Sequence, residues 1–272
     1  MALGIISKAK EKVEEMKKDI HIGKFAKNFY GFISLNNGAG TKTIAVNTAI
    51  ELAKEYKVCL LDCNFFQPGI CHTLNSQVYE DDSISKYLNS SVEKEKVFKP
   101  ITGFQNIWLV GASPLDFPLN FDKINEGTYK ELLNYIKESF DYVIAYMPYH
   151  PLAESFIYTL EYVDKGYIVW DDQVDCGTKT KFLLDYVNVI SKKANCINNV
   201  ILNKLPKRDY SVNLVKNVEC NLVATFPFNN NIPLSKNEGK VFNAKNIGDK
   251  SYVDNTKLLM NDIKSGQRNL VL

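Results

Sequence analysis

No Cys-x-x-Cys pair occurs among the six cysteines, Cys59, Cys63, Cys71, Cys176, Cys196 and Cys220. A zinc ribbon or a dithiol redox centre needs that spacing, so neither is expected. Cys59 and Cys63 fall on one strand-like run, where side chains do not converge tetrahedrally on a metal. Several of the six sit in apolar runs, where a free thiol behaves as a small hydrophobe, and a reducing cytosol is the expected compartment. No apolar run approaches the roughly 20 residues a membrane span requires, and no signal-peptide pattern is visible. A strong excess of one charge is missing too: 33 Lys and Arg against 31 Asp and Glu leave a net charge of +2. That is too little to imply nucleic acid by itself, so any basic surface has to be local. There is no internal repeat and no long low-complexity linker.

What is present suits one large α/β domain with short extensions: 272 residues, 45% hydrophobic and 24% charged. Residues 5–20 are rich in helix formers, and Ile6, Ala9, Val13, Met16 and Ile20 form one narrow apolar stripe. Packing on the domain body, pairing with another helix and lying on a membrane surface are three open uses for it. Lys8, Lys10, Lys12, Lys17 and Lys18 suit an anionic surface, but Glu11, Glu14, Glu15 and Asp19 dilute the field, and no Trp or Phe anchors the stripe.

The centre of the chain is Gly31–Thr43, GFISLNNGAGTKT. A short apolar run ends in a glycine-containing turn, and an amphipathic helix is expected from about Thr43 to Tyr56. Strand, glycine turn, helix is the layout of a phosphate cradle, in which backbone N–H groups and a helix N-terminus meet an anion. Strand patterns follow at Lys57–Asp62, Asn106–Gly111, Phe140–Pro148, Tyr167–Trp170, Asn199–Lys204 and Leu222–Phe226. Helical patterns alternate with them. One starts near Asp81-Asp82-Ser83, and one spans Glu126–Ser139 with Tyr129, Leu132, Leu133 and Ile136 on one face. Another covers Lys179–Ser191 with Phe182, Leu183, Tyr186, Val187 and Ile190, and the last covers Tyr252–Ile263 with Leu258, Leu259 and Ile263 buried. Such alternation predicts a doubly wound, mainly parallel sheet with helices on both faces. The aromatics Phe65, Phe66, Phe117, Tyr149 and Phe228 are open to two roles, partner contact and core packing.

The run Thr41–Ala53, TKTIAVNTAIELA, resembles the loop and first helix of the ParA/MinD family, K-[TS]-T-x-x-x-N-L-A-x-x-L-A. Asn47 sets the register. It puts Thr41 at the family's loop-lysine position, Lys42 at the position of the Mg²⁺-ligating hydroxyl, and Asn36 at the family's additional signature lysine. A Thr at the loop-lysine position is similar to the TadZ/CpaE pilus-localisation branch, which often reads G-G-x-G-T-S-T. The family's D-x-D falls on Asp62 and Asn64, and its F-D-Y-V-I-I-D-x-P falls on Phe140–Pro148 with Tyr146 at the Mg²⁺-shell Asp. Asp141 is no substitute, lying about 15 Å away at strand rise. Asn199–Lys204 matches the family's "vvlNk", in which the Asn, here Asn203, contacts adenine. Pro227–Pro233 with Ser235, Asn237, Glu238 and Gly239 resembles the adenine-side loop. The likeness spans about residues 30–264, leaving 1–29 as a helical extension with its link and 265–272 as a tail.

The resemblance implies a nucleotide site at Asn37, Gly38, Ala39, Gly40, Thr41, Lys42, Thr43, Asp62, Asn203, Pro227 and Phe228. It implies ATP or ADP as cofactor, held weakly and without a requirement for Mg²⁺, and no catalytic or metal-ligating residue. A neutral phenol at Tyr146 is a poor ligand for a hard cation, and the amide of Asn64 holds water without taking its proton. Loss of one transition-state donor costs on the order of 10²-fold in rate, roughly 3 kcal/mol, so useful hydrolysis is not expected. Two states of the loop stay open: Lys42 partly replacing Mg²⁺, and an empty loop with Lys42 solvated. Asp62 also has a plainer reading, a strand-end carboxylate capping the next turn. The implied functions are a non-hydrolysing localisation or assembly factor for a pilus or secretion machine, or else a ParA-like partition or MinD-like positioning ATPase. The implied partners are a second copy of the chain and protein components of a larger assembly. DNA is the weaker candidate, and membrane contact is indirect or through residues 1–22.

Overall fold

A computed structural model describes residues 27–89, 92–116, 121, 124–147, 150, 153–205, 215–237, 240–241 and 249–265. The helix expected over residues 5–20, the aromatics Phe117 and Tyr149, Glu238, Gly239 and the tail beyond residue 265 lie outside the described residues. Among those described, the strands are β1 Phe29–Ser34, β2 Val58–Asp62, β3 Lys99–Pro100, β4 Ile107–Val110, β5 Tyr142–Met147, β6 Lys165–Trp170, β7 Asn199–Leu205 and β8 Asn221–Pro227. The helices are α1 Thr41–Leu52, α2 Ile70–Thr73, α3 Ile84–Leu88, α4 Glu126–Ser139, α5 Glu154–Leu160, α6 Cys176–Ile190, α7 Ala194–Ile197, α8 Asn231–Asn237 and α9 Lys250–Ser265.

The strands form one sheet in the order β3-β4-β2-β5-β1-β6-β7-β8. Only the short β3 runs antiparallel to its neighbour β4; the other pairings are parallel. β1 lies between β5 and β6, so the chain winds to one side through β2 and β5 and then crosses to the other through β6. In such sheets the loops at the carboxyl ends of the strands open into a crevice where the winding reverses. The loop after β1 occupies that place.

Every residue of β1, β2 and β5 is buried, as expected of a parallel sheet covered on both faces. The two-residue strand period sorts their side chains. Phe29 and Ile33 join Leu132, Leu133, Ile136, Leu183 and Val187 in the core beneath α4–α7. Tyr30, Phe32, Leu60, Ile144 and Tyr146 face the other way, onto Ile44, Ala49, Tyr252, Leu259 and Ile263 of α1 and α9. Polar bonds fix α9 further. The Tyr30 hydroxyl donates to the Ile263 carbonyl at 2.9 Å, the Tyr167 hydroxyl donates to Asp262 at 2.8 Å, and Lys165 pairs with Asp262 at 2.7 Å.

Three details differ from the sequence expectations. α1 begins at Thr41, two residues before the expected start, and ends at Leu52; residues 53–56 close as turns onto Ala49 and Leu52. Leu258, expected to be buried, is 54% exposed, and Phe182, one of the apolar residues named on its helix, is 57% exposed. The reason is helix phase. The buried residues of α6 are Cys176, Thr180, Leu183 and Val187, and those of α9 are Tyr252, Thr256, Leu259 and Ile263. Both sets step by four, three and four, and a residue one place earlier is rotated off that face. Of the described aromatics left open, Phe65 is buried against Phe121 and Tyr129, while Phe66 and Phe228 are exposed.

This phase predicts unequal costs for adjacent leucines. Leu259→Ala should lower stability by about 2–5 kcal/mol, whereas Leu258→Ala should stay within about 0.5 kcal/mol. Urea denaturation of both variants checks it, and equal losses would contradict the assigned face.

Candidate functional site

β1 ends at Ser34, and residues 35–40 turn the chain into α1. Gly38 and Gly40 adopt φ of +85° and +89°, a region that residues with a Cβ enter only at a cost. At Gly40 space is decisive as well, since a Cβ there would collide with the Asn203 amide. That amide donates to the Ala39 carbonyl at 2.6 Å, and the Lys204 ammonium donates to the Gly38 carbonyl at 2.5 Å. Lys204 itself has φ of +59°, where the β7–β8 ladder shifts register between Leu202 and Leu205. From the other side, the Asn36 amide donates to Asp171 at 3.3 Å, and Lys179, paired with Asp175, donates to the Asn36 side-chain oxygen. The loop is thus clamped between β7 and the start of α6.

α1 then begins without a capping side chain and without an acidic residue in its first turn. Its first N–H groups form the positive pole of the helix. Beside them, the Thr41 hydroxyl is buried and has no hydrogen-bond partner among the described residues. The Lys42 ammonium makes no ion pair or hydrogen bond among them, and it rests 5.9 Å from the centre of the Tyr146 ring. It also lies so close to the backbone of Gly69 that a Cβ there would overlap it. A helix pole, an unsatisfied hydroxyl and an unpaired ammonium together form a site for an anion.

Asp62 sits next to Tyr146 in the sheet register. One carboxylate oxygen accepts the Asn64 N–H at 3.0 Å, and the other accepts those of Gly69 and Ile70 at 2.9 and 3.0 Å. Asp62 therefore caps the turn into α2, the plainer of its two readings. Burial pushes its pKa above the ordinary carboxylate range, and the N–H groups of Ile70, Gly69 and Asn64, followed by Lys42, pull against that rise. Tyr146 is pushed up to about 12, by burial first and then by the charge of Asp62, while bonds to Asn64 and Ser34 act the other way. It is a neutral phenol at physiological pH. A hard dication wants free carboxylate or water oxygen. Here both Asp62 oxygens are committed to the backbone and an ammonium stands beside them. Asp62 and Tyr146 therefore offer Mg²⁺ no free anionic ligand.

What the site offers is donors for a phosphate and apolar surface for a flat group. A cavity of about 270 Å³ opens over the loop, near the lower end of the roughly 300–1,000 Å³ usual for small-molecule sites. Of the residues expected from sequence, Gly38, Gly40, Thr41, Lys42, Thr43, Asn203, Pro227 and Phe228 line it. Asn37 is exposed outside it, Ala39 is buried behind it, and Asp62 holds the α2 turn. Asn203, matched by resemblance to an adenine contact, lies on the wall and ties down the loop. Eight lining residues were not among the expected site residues: Ser34, Thr73, Tyr146, Lys204, Asn229, Ile232, Pro233 and Tyr252. Asn229, Ile232 and Pro233 fall in the loop read as adenine-side, and Ser34, Tyr146 and Lys204 stand at the carboxyl ends of strands; Thr73 and Tyr252 carried no sequence signal for the site. Phosphate would meet the α1 end of the cavity, and a flat apolar group would meet Pro227, Phe228 and Tyr252.

No family model matches the sequence, and no curated protein matches it. Solved structures do resemble it in shape. A ParA family ATPase from Chlorobium tepidum superposes with a TM-score of 0.72 at 20% identity, covering 88% of this chain and 99% of that one. The septum site-determining protein MinD from Pyrococcus horikoshii, solved with Mg-ADP, gives 0.74 at 16% identity, over 89% and 98%. MinD in the MinC:MinD cell division complex of Aquifex aeolicus gives 0.69 at 20%, over 86% and 96%. At these identities the likeness establishes the fold, the doubly wound P-loop architecture of those ATPases.

Removing the Asp62 carboxylate tests its capping role. Asp62→Ala leaves buried N–H groups at residues 69 and 70 unpaired and should cost about 1–3 kcal/mol, read as a lower urea midpoint. Unchanged stability would show that the turn into α2 does not depend on it.

Proposed function

We propose that this chain is a nucleotide-binding relative of the ParA and MinD ATPases that no longer hydrolyses, and that it acts as a localisation or assembly factor. The observation that carries this reading is the pairing of an unsatisfied Thr41 and Lys42 at an uncapped helix end with a cavity wall that holds no carboxylate among the described residues. The first half attracts phosphate, and the second leaves no carboxylate on the wall to hold a metal or accept a proton. Phosphoryl transfer depends on positioning and on neutralising charge at the transferring group. With Lys42 at the position that the resemblance gives to the Mg²⁺-ligating hydroxyl and an amide, Asn64, at that of the water-orienting Asp, ATP is retained without being activated. The threonine at position 41 supports the comparison with TadZ/CpaE-type proteins, and with it a role in placing a pilus or secretion machine. A homodimer closed across the nucleotide and protein components of that machine are the proposed partners.

A phosphate-release assay with Mg²⁺ should show no turnover above the protein-free blank. Metal-dependent turnover that disappears in Thr41→Ala or Lys42→Ala would overturn the reading.

The fold shared with a ParA family ATPase and with MinD favours a second reading, a partition or positioning ATPase. A DNA-partition protein binds non-specific DNA through phosphates, and its affinity falls steeply with salt. Gel-shift titrations across a salt series should give no binding and no slope for an assembly factor. A steep salt dependence would favour the partition reading.

A further inference from the structure

Two ammonium groups line the cavity, Lys42 from α1 and Lys204 from β7, and among the described residues no Asp or Glu lines it. Neither lysine is there by default. Lys204 holds a backbone φ of +59°, uncommon for a residue with a long side chain and carrying a cost of about 1–3 kcal/mol. Backbone outliers of this kind persist where the surrounding structure fixes them, often at ligand sites. The bend coincides with the register shift in β7 and directs the side chain across the loop to the Gly38 carbonyl. One of its three donors is used there, and among the described residues it has no other partner, which leaves donors for an anion. Lys42, at the position that the resemblance gives to the Mg²⁺-ligating hydroxyl, makes no ion pair or hydrogen bond among the described residues, and Gly69 and Tyr146 leave its ammonium room. Asp62, whose carboxyl feels the Lys42 charge, is turned to the α2 backbone with both oxygens accepting N–H groups.

We propose that the site takes the metal-free form of a nucleoside polyphosphate, with Lys42 and Lys204 supplying the positive charge that a divalent cation would bring. Mg²⁺ then opposes binding. This rests on the reading that the cavity holds a nucleotide. The physical reason is charge balance. A metal-free triphosphate meets two cations and a helix pole, whereas its Mg²⁺ complex has surrendered part of its charge and carries a dication toward ammonium groups with no carboxylate to receive it.

Titration calorimetry of the full chain tests this, with ATP and with adenosine, in EDTA and in excess MgCl₂ at matched ionic strength, so that screening is equal. ATP should bind at least about tenfold more weakly with Mg²⁺, a difference of about 1.4 kcal/mol, and adenosine should not distinguish the buffers. Lys204→Asn keeps a residue that tolerates positive φ and removes the amine. In EDTA it should weaken ATP about tenfold, leave adenosine unchanged, and shrink the Mg²⁺ penalty. Lys42→Met should act in the same direction. Equal or tighter ATP binding with Mg²⁺ overturns the proposal while leaving the nucleotide reading intact. Lys204→Asn with unaltered ATP affinity and an unaltered Mg²⁺ penalty overturns the role of Lys204. No ATP binding in either buffer overturns the nucleotide reading and this proposal with it.

Discussion

Between β1 and α1 the backbone turns at Gly40, where a φ of +89° and the Asn203 amide leave no room for a side chain. A Cβ in that conformation costs about 1–2 kcal/mol before any collision is counted. The glycine lets β7 reach the loop, and the bonds from Asn203 and Lys204 to the Ala39 and Gly38 carbonyls hold the turn closed. Because the turn is closed, α1 starts at Thr41 with its first N–H groups uncapped. The same geometry delivers the Thr41 hydroxyl and the Lys42 ammonium to the cavity unpaired. The remainder of the site is assembled around that helix end.

Shape and chemistry separate cleanly in this molecule. The sheet order, the central β1 and the crevice at the reversal of winding are consequences of burial and of strand and helix periods. They would survive many exchanges of polar residues at the strand ends. The groups at those ends decide what a bound phosphate experiences. Asp62, whose carboxyl feels the Lys42 charge, is spent on the α2 turn, and Tyr146 closes the floor as a neutral phenol. What is left is positive charge fixed to the chain, suited to holding an anion.

The strands could be read from sequence because fully buried parallel strands appear as unbroken apolar runs, as in Val58–Asp62 and Tyr142–Met147. The start of α1 was placed two residues late because Gly40 enters the helix from a left-handed conformation instead of through a capping side chain. Leu258 was placed inside because an apolar residue adjacent to a buried stripe looks the same as a member of it until the helix phase is known. Within the site, the residues on the glycine turn and its helix were legible, since local sequence determines that turn. Lys204 and Tyr252 were not singled out. They reach the cavity through the bulge in β7 and the docking of α9 on the sheet, which are tertiary events with no local signature.

The most direct measurement is a crystal structure with a non-hydrolysable ATP analogue, grown once in EDTA and once with Mg²⁺. The account predicts, in EDTA, phosphate oxygens at roughly 2.7–2.9 Å from the Lys42 ammonium over the Gly38–Gly40 turn, with the base against Phe228 and Tyr252. An octahedral metal at about 2.0–2.1 Å from its oxygen ligands, bridging phosphate to Thr43 or Asp62 with Lys42 swung away, would contradict it.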